Sequence, residues 1–187
     1  LVREALCRVP VEIGLTETSR RTPVLVSQDY PDGDLNLQPG DPVVVSGGAR
    51  GITAVCALEL ARRVRPALIL LGRSPEPVPE PEWMHSLESE ADIKQALLQT
   101  EYAAASAKPV EVERRLKQLL ASREVARTLD AIRSAGAPVA YYAVDVRDAE
   151  QVRSALDQAR TQFGPIRGLI HGAGVIEDRL IADKSME

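Results

Sequence analysis

The segment "DPVVVSGGARGITAVCALELARR", residues 41–63, contains the change of period that decides the fold. A run of apolar β-branched residues, Val43–Val45, stops at Gly47 and Gly48 and turns through Ala49 and Arg50. From Gly51 to about Val64 the residues follow a helix pattern. The residues downstream tell whether this is an isolated turn or the start of a repeating architecture.

The order does repeat. "ALILLG" (67–72) reads as a second strand and is followed by the proline-rich break "SPEPVPEPE" (74–82). Helical patterns then cover "DIKQALLQ" (92–99) and a stretch from about Val110 to Ala135. In the latter, Val112, Leu116, Leu119, Val125, Leu129 and Ile132 recur at helix spacing and form one apolar stripe. "GAPVAYYAVDV" (136–146) reads as a strand. "RDAEQVRSALDQARTQFG" (147–164) reads as a helix, with Asp148 and Gln151 in capping-box spacing and Gly164 as its stop. "PIRGLIHGAG" (165–174) supplies another strand and glycine turn. Near-continuous apolar strands alternating with helices predict an α/β fold, a doubly wound parallel sheet covered on both faces. Upstream, "RVPVEIGL" (8–15) and "TPVLVSQDY" (22–30) read as short extended pieces closed by the turn-rich "PDGDLNLQPGDP" (31–42). Residues 1–40 are therefore expected to be a linker or the tail of a preceding domain. Residues 41–187 are expected to be the α/β domain, with a helical insertion at about 75–107 that stays outside the sheet.

Composition removes several classes of function. A net charge of -4 with no basic cluster argues against a polyanion-binding surface, and 3% aromatic residues leave no stacking platform for single-stranded nucleic acid. Cys7 and Cys56 stand far apart, without the spacing of a zinc site or disulfide framework, so a reducing cytoplasm is the expected setting. No apolar run is long enough to span a membrane.

A glycine turn at the end of the first strand of such a sheet suits a phosphate group. Backbone N–H groups and the helix N-terminus face the anion, and glycine lets the backbone come close. Tight turns also use glycine for steric reasons alone, but here the turn stands where the dinucleotide crevice of a βαβ unit lies. The second strand ends "LILLGRS", where an NAD site would offer an acid to the ribose 2′-hydroxyl. This sequence offers Gly72, Arg73 and Ser74 instead. Arg73 can pair bidentately with a 2′-phosphate and Ser74 can add a hydroxyl, so NADP(H) is the expected cofactor, against an ordinary surface arginine as the alternative.

"SGGARGI" (46–52), "LLGRS" (70–74), "YYAVDVRD" (141–148) and "GLIHGAGVIEDRLI" (168–181) occur in the order seen in short-chain dehydrogenase/reductases. More narrowly, the chain from about Asp41 onward resembles the ketoreductase domains of polyketide and polyunsaturated fatty acid synthases. The long insertion after "GRS" is most similar to those of the iterative polyunsaturated fatty acid synthases and their enediyne relatives. The resemblance implies that Ser46, Gly47, Gly48, Arg50, Gly51 and Ile52 line the pyrophosphate turn and that Arg73 and Ser74 read the 2′-phosphate of NADPH. It also implies that Asp145 and Val146 flank the adenine, and that Gly172, Ala173 and Gly174 approach the nicotinamide ribose. A plain polar strand-end residue is the alternative for Asp145, and His171 reads as a partly buried, satisfied histidine and not a catalytic one. One departure concerns packing: Thr53 stands where the family has the glycine that lets helix and sheet approach.

The family's proton-donating tyrosine is followed four residues on by Lys or Asn. Here Tyr30, Tyr102, Tyr141 and Tyr142 are followed at that distance by Asp34, Ser106, Asp145 and Val146, so no catalytic residue is assigned. Lys184 stands too early after the "HGAG" turn to be the family's lysine and reads as a solvated helix residue. The implied reaction is NADPH-dependent reduction of a β-ketoacyl group on an acyl carrier protein to the β-hydroxyacyl form. A free-standing reductase of a small carbonyl compound and a non-catalytic ketoreductase-like module are the alternatives. By the same resemblance the four strands after Val43 take the spatial order third, second, first, fourth, in a Rossmann-like sheet incomplete at its C-terminal side. The open edge beside Leu169 and Ile170 and a short helix from near Ile181 then imply pairing with the remainder of the domain or with a second copy, and no turnover by this chain alone.

Overall fold

The computed structural model describes residues 13–28, 36–102 and 108–174. The expected helix near Ile181, Lys184, Cys7 and Tyr30 lie outside the described residues. The chain divides into two units, Leu1–Leu35 and Asn36–Glu187.

In the first unit, β1 (Gly14–Leu15) pairs antiparallel with β2 (Arg20–Arg21). The connecting turn is closed by the Thr16 N–H donating to the Ser19 carbonyl at 2.9 Å and the Ser19 N–H donating to Thr16 Oγ1 at 2.9 Å. The apolar run expected to be extended, Val24–Val26, is exposed and lies in no strand. An extended apolar piece becomes a β-strand only where a partner strand pairs with it.

In the second unit, β3 (Pro42–Ser46), β4 (Ala67–Gly72), β5 (Val139–Ala143) and β6 (Gly168–His171) form one parallel sheet in the order β5-β4-β3-β6. This is the strand order implied by the resemblance. Among the described residues of this unit the α-helices are α1 (Gly51–Val64), α2 (Glu90–Thr100), α3 (Pro109–Ser134) and α4 (Ala149–Phe163). Successive residues of a strand face opposite sides. Val43, Val45, Leu68 and Leu70 therefore pack with Ala57 and Ala61 of α1 and Val125, Leu129 and Ile132 of α3. Val44, Ile69 and Leu71 face the other way, onto Ala155 and Ala159 of α4. Burial of each such aliphatic side chain contributes about 1.5–3 kcal/mol. The alanines at both helix interfaces let the helix backbones lie close to the sheet. Along the outer edge of β6, Leu169 and Ile170 are exposed, and among the described residues no strand pairs there.

β5 is shorter than the expected 136–146. Gly136 has φ +81° and Pro138 has no N–H to give, so the strand starts only at Val139. At the far end Asp145 turns the chain: its Oδ1 accepts from the Arg147 N–H at 3.0 Å, and its carbonyl accepts from the Asp148 N–H at 2.9 Å. α4 starts as its sequence implies, with Asp148 accepting from the N–H groups of Glu150 and Gln151 at 3.0 and 3.1 Å. Gln151 reaches back to the Asp148 carboxylate at 2.8 Å and not to its backbone, so only half of the capping box is formed.

The apolar stripe of α3 is buried along its whole length but serves two cores. Val125, Leu129 and Ile132 pack on the sheet, whereas Val112, Leu116 and Leu119 join Met84, Ile93 and Leu97 in a separate cluster. The described part of the insertion is thus a short 3-10 turn (Glu82–Met84) and α2 packed on the first half of α3, outside the sheet. Arg123 of α3 fastens it. Its guanidinium is almost fully buried, pairs with both Glu80 oxygens, and donates to the carbonyls of Leu87 at 2.5 Å and Met84 at 2.7 Å.

Candidate functional site

The strand order reverses at β3: β4 and β5 lie on one side of it and β6 on the other. In an open parallel sheet the loops diverge at that point and leave a crevice beyond the C-terminal ends of the strands. A cleft of about 560 Å³ opens there.

Gly47, Arg50, Arg73, Ser74, Asp145, Val146, Gly172, Ala173 and Gly174 line this cleft. Ser46 ends β3, Gly48 lies in the turn after it, and Gly51 and Ile52 open α1; these four stand next to the cleft without lining it. Ser46 is buried, its Oγ lying 2.6 Å from His171 Nδ1 and accepting from the Ala173 N–H at 3.3 Å. That pair of contacts ties the two glycine turns together. His171 has its Nδ1 partnered, but it is exposed and not partly buried as expected. Gly48 packs inward, where a Cβ would lie 2.6 Å from Val45 Cγ1. Ile52 points to solvent, 85% exposed.

Glycine is required where the turns meet. Gly47 has φ +71°, and a Cβ there would lie 2.9 Å from the Gly172 carbonyl oxygen and 3.0 Å from the Ala173 nitrogen. Backbone rather than flexible side chain would have to move, so glycine here lets the two turns pack main chain against main chain. Gly47, Gly172 and Gly174 also line the cleft, and glycine main chain is what a phosphate can approach closely.

Three guanidinium groups face the cleft. Arg50 pairs with Glu124 (Nε to Oε2, 2.6 Å) and Arg147 with Asp145 (Nη2 to Oδ2, 2.6 Å). Arg73, at the end of β4, is exposed and has no carboxylate within ion-pair distance among the described residues. Arg147, by side-chain and then backbone hydrogen bonds, holds the Asp145 carboxyl down at about 2, and the charge of Arg73 adds to this. Asp145 is therefore an anion throughout the physiological range.

Sequence reading missed three residues of this region. Tyr141 lines the cleft and donates its hydroxyl to the Ser74 carbonyl at 2.6 Å, holding the loop that carries Arg73. Burial pushes its phenol pKa up, which disfavours release of a proton. Alternation along β5 could have placed Tyr141 on the α1 and α3 side of the sheet, but nothing local links it to Ser74. Arg147 was visible only as a charge beside Asp145. Glu124, on the helix after the insertion, had no sequence signal at all.

Among the described residues no group of acids, histidines or cysteines could hold a metal ion, and no helix is long and apolar enough to cross a membrane.

The KR domain family profile matches residues 42–187. Over 98% of its length the chain is 32% identical to a polyunsaturated fatty acid synthase polypeptide of Thraustochytrium sp. (strain ATCC 26185 / S-3), of which it spans 7%. Among solved structures, a ketoreductase domain from the bacillaene assembly line superposes with a TM-score of 0.51 at 25% identity, covering 84% of this chain and 28% of that one. An N-terminal ketoreductase from the macrolactin assembly line superposes with a TM-score of 0.53 at 21% identity, covering 86% of this chain and 23% of that one, a likeness of fold. The chain thus spans less than a tenth of this curated relative and about a quarter of each of these two ketoreductase chains.

Proposed function

We propose that this chain, which belongs to the ketoreductase (KR) domain family of the short-chain dehydrogenase/reductases, holds NADPH for the reduction of a β-ketoacyl group on an acyl carrier protein. The setting is a synthase of the polyketide or polyunsaturated fatty acid kind, as in the relatives it resembles. The observation that carries the reading is Arg73, a cation without a carboxylate partner among the described residues, standing where an NAD site has an acid.

The residues fit such a cofactor. Two interlocked glycine turns offer bare backbone to the pyrophosphate, Arg73 and Ser74 stand ready for a 2′-phosphate, and Asp145 with Val146 borders the adenine end. Gly172, Ala173 and Gly174 border the opposite end, toward the nicotinamide ribose. A bound NADPH would supply the hydride that reduces the carbonyl. This chain's residues bind and orient, and none of its described tyrosines is assigned as a proton donor, Tyr141 being committed to the Ser74 carbonyl. The exposed edge of β6 at Leu169 and Ile170 supports pairing with the remainder of a KR domain or a second copy of this chain.

The test is cofactor binding by Arg73→Ala, followed by nicotinamide fluorescence. Loss of a charge-assisted pair, worth about 1.5–3 kcal/mol, should weaken NADPH by roughly ten- to hundredfold and leave NADH nearly unchanged. Equal losses for the two cofactors would refute the assignment.

A further inference from the structure

The side chain of Glu124, on α3, crosses to the glycine turn between β3 and α1. Its Oε1 accepts from the Gly51 N–H at 2.8 Å and its Oε2 accepts from Arg50 Nε at 2.6 Å. Gly51 is the first residue of α1, so its N–H is one of the helix donors that have no partner within the helix. Arg50, the residue before it, offers no side-chain cap. An anion satisfies that end of the helix, and here the protein supplies its own from a helix 73 residues away in sequence.

The second contact has a consequence for the cleft. Glu124 takes only the Nε hydrogen of Arg50, at the inner side of the guanidinium. Among the described residues neither Nη1 nor Nη2 of Arg50 makes a hydrogen bond, and Arg50 lines the cleft. Arginine recognises phosphate through such paired outer N–H groups. Both side chains are half exposed, at 48% and 40%, so an unrestrained Arg50 would sample many rotamers in water.

From this geometry we infer that Glu124 is a positioning residue of the nucleotide site, holding Arg50 and the Gly51 turn so that the free N–H groups of Arg50 face the anionic part of the ligand. The helix next to the insertion is thereby part of the binding site. Arg123 anchors the insertion, and its neighbour Glu124 grips the phosphate turn. This inference rests on the proposed nucleotide-binding function.

The test is calorimetric titration of the full chain with NADP+, for wild type, Glu124→Ala, Glu124→Gln, Arg50→Ala and the Arg50→Ala/Glu124→Ala double variant, each checked by thermal unfolding. Glu124→Ala is expected to weaken NADP+ about tenfold, the loss of one charge-assisted contact. Glu124→Gln, which keeps an acceptor oxygen, should recover part of this. In the Arg50→Ala background the Glu124 substitution should weaken binding further by much less than tenfold, because the two residues act as one unit. An unchanged or tighter affinity for Glu124→Ala would overturn the inference, since a mere competitor of the phosphate would give tighter binding on removal. So would full additivity of the two substitutions. Failure of the wild-type chain to bind NADP+ would instead remove the functional reading on which the inference stands.

Discussion

A Cβ built on Gly172 would lie 2.5 Å from both Cγ2 and Oγ1 of Thr53. Thr53, expected to disturb helix–sheet packing, is therefore accommodated by the glycine of the other turn. Its hydroxyl also lies 3.5 Å from the Gly172 carbonyl oxygen. Gly172→Ala should cost about 1–3 kcal/mol through overpacking, and most of this should disappear in a Thr53→Gly background. Urea unfolding of the two single variants and the double variant measures the coupling. Additive losses would mean that the two side chains do not compete for this space.

Arg123 should be worth more to stability than the exposed ion pairs of the helix surfaces. It is buried with four hydrogen bonds to Glu80, Met84 and Leu87, and Glu80 is held below the usual carboxylate range by it. Arg123→Ala strands Glu80 and two carbonyls and should cost about 3–5 kcal/mol, toward the lower end because Glu80 keeps some contact with water. Limited proteolysis should show new cleavage within residues 80–100. Unchanged proteolysis and unfolding would contradict the anchoring role.

Tyr141→Phe removes the donor that holds the Ser74 carbonyl. Stability should fall by about 1 kcal/mol, the usual net worth of one hydrogen bond. NADPH affinity should fall several-fold while NADH affinity changes less, because the loop that moves carries Arg73. A change in stability with no change in the NADPH-to-NADH ratio would separate Tyr141 from the cofactor site.

The Asp145 carboxyl is lowered from an ordinary 3.8 to about 2, first by the Arg147 side chain and then by its backbone N–H. A depressed carboxylate contributes stability that is fully present above about pH 4 and is lost as pH falls through about 2. Carboxyl-carbon NMR should give a midpoint near 2 in wild type, rising toward 3.8 in Arg147→Ala. High salt should reduce the difference, since the Arg147 side chain is largely exposed. A wild-type midpoint near 3.8 would mean that the pair does not persist in solution.

Much of the fold was legible because its signals are local. The turn from β-branched residues to helix spacing at Gly47–Gly51 located β3 and α1, "ALILLG" matches β4, and Asp148 and Gly164 bound α4. The six apolar positions of α3 are all buried. Val24–Val26 are exposed and lie in no strand, because an apolar run alone does not say whether a partner will cover it.

Local sequence dictated the α/β alternation, the glycine turns and the absence of an acid at Arg73, because helix and strand periods and turn chemistry act over a few neighbouring residues. The rest arose from the packing of distant elements. Packing assigned the two halves of the α3 stripe to different cores, set Thr53 against Gly172, and brought Tyr141 to Ser74 and Glu124 to Arg50 and Gly51. These last contacts join residues 67 to 119 positions apart. Their existence depends on where one helix crosses the sheet and how far one side chain reaches, and no periodicity in the chain encodes either.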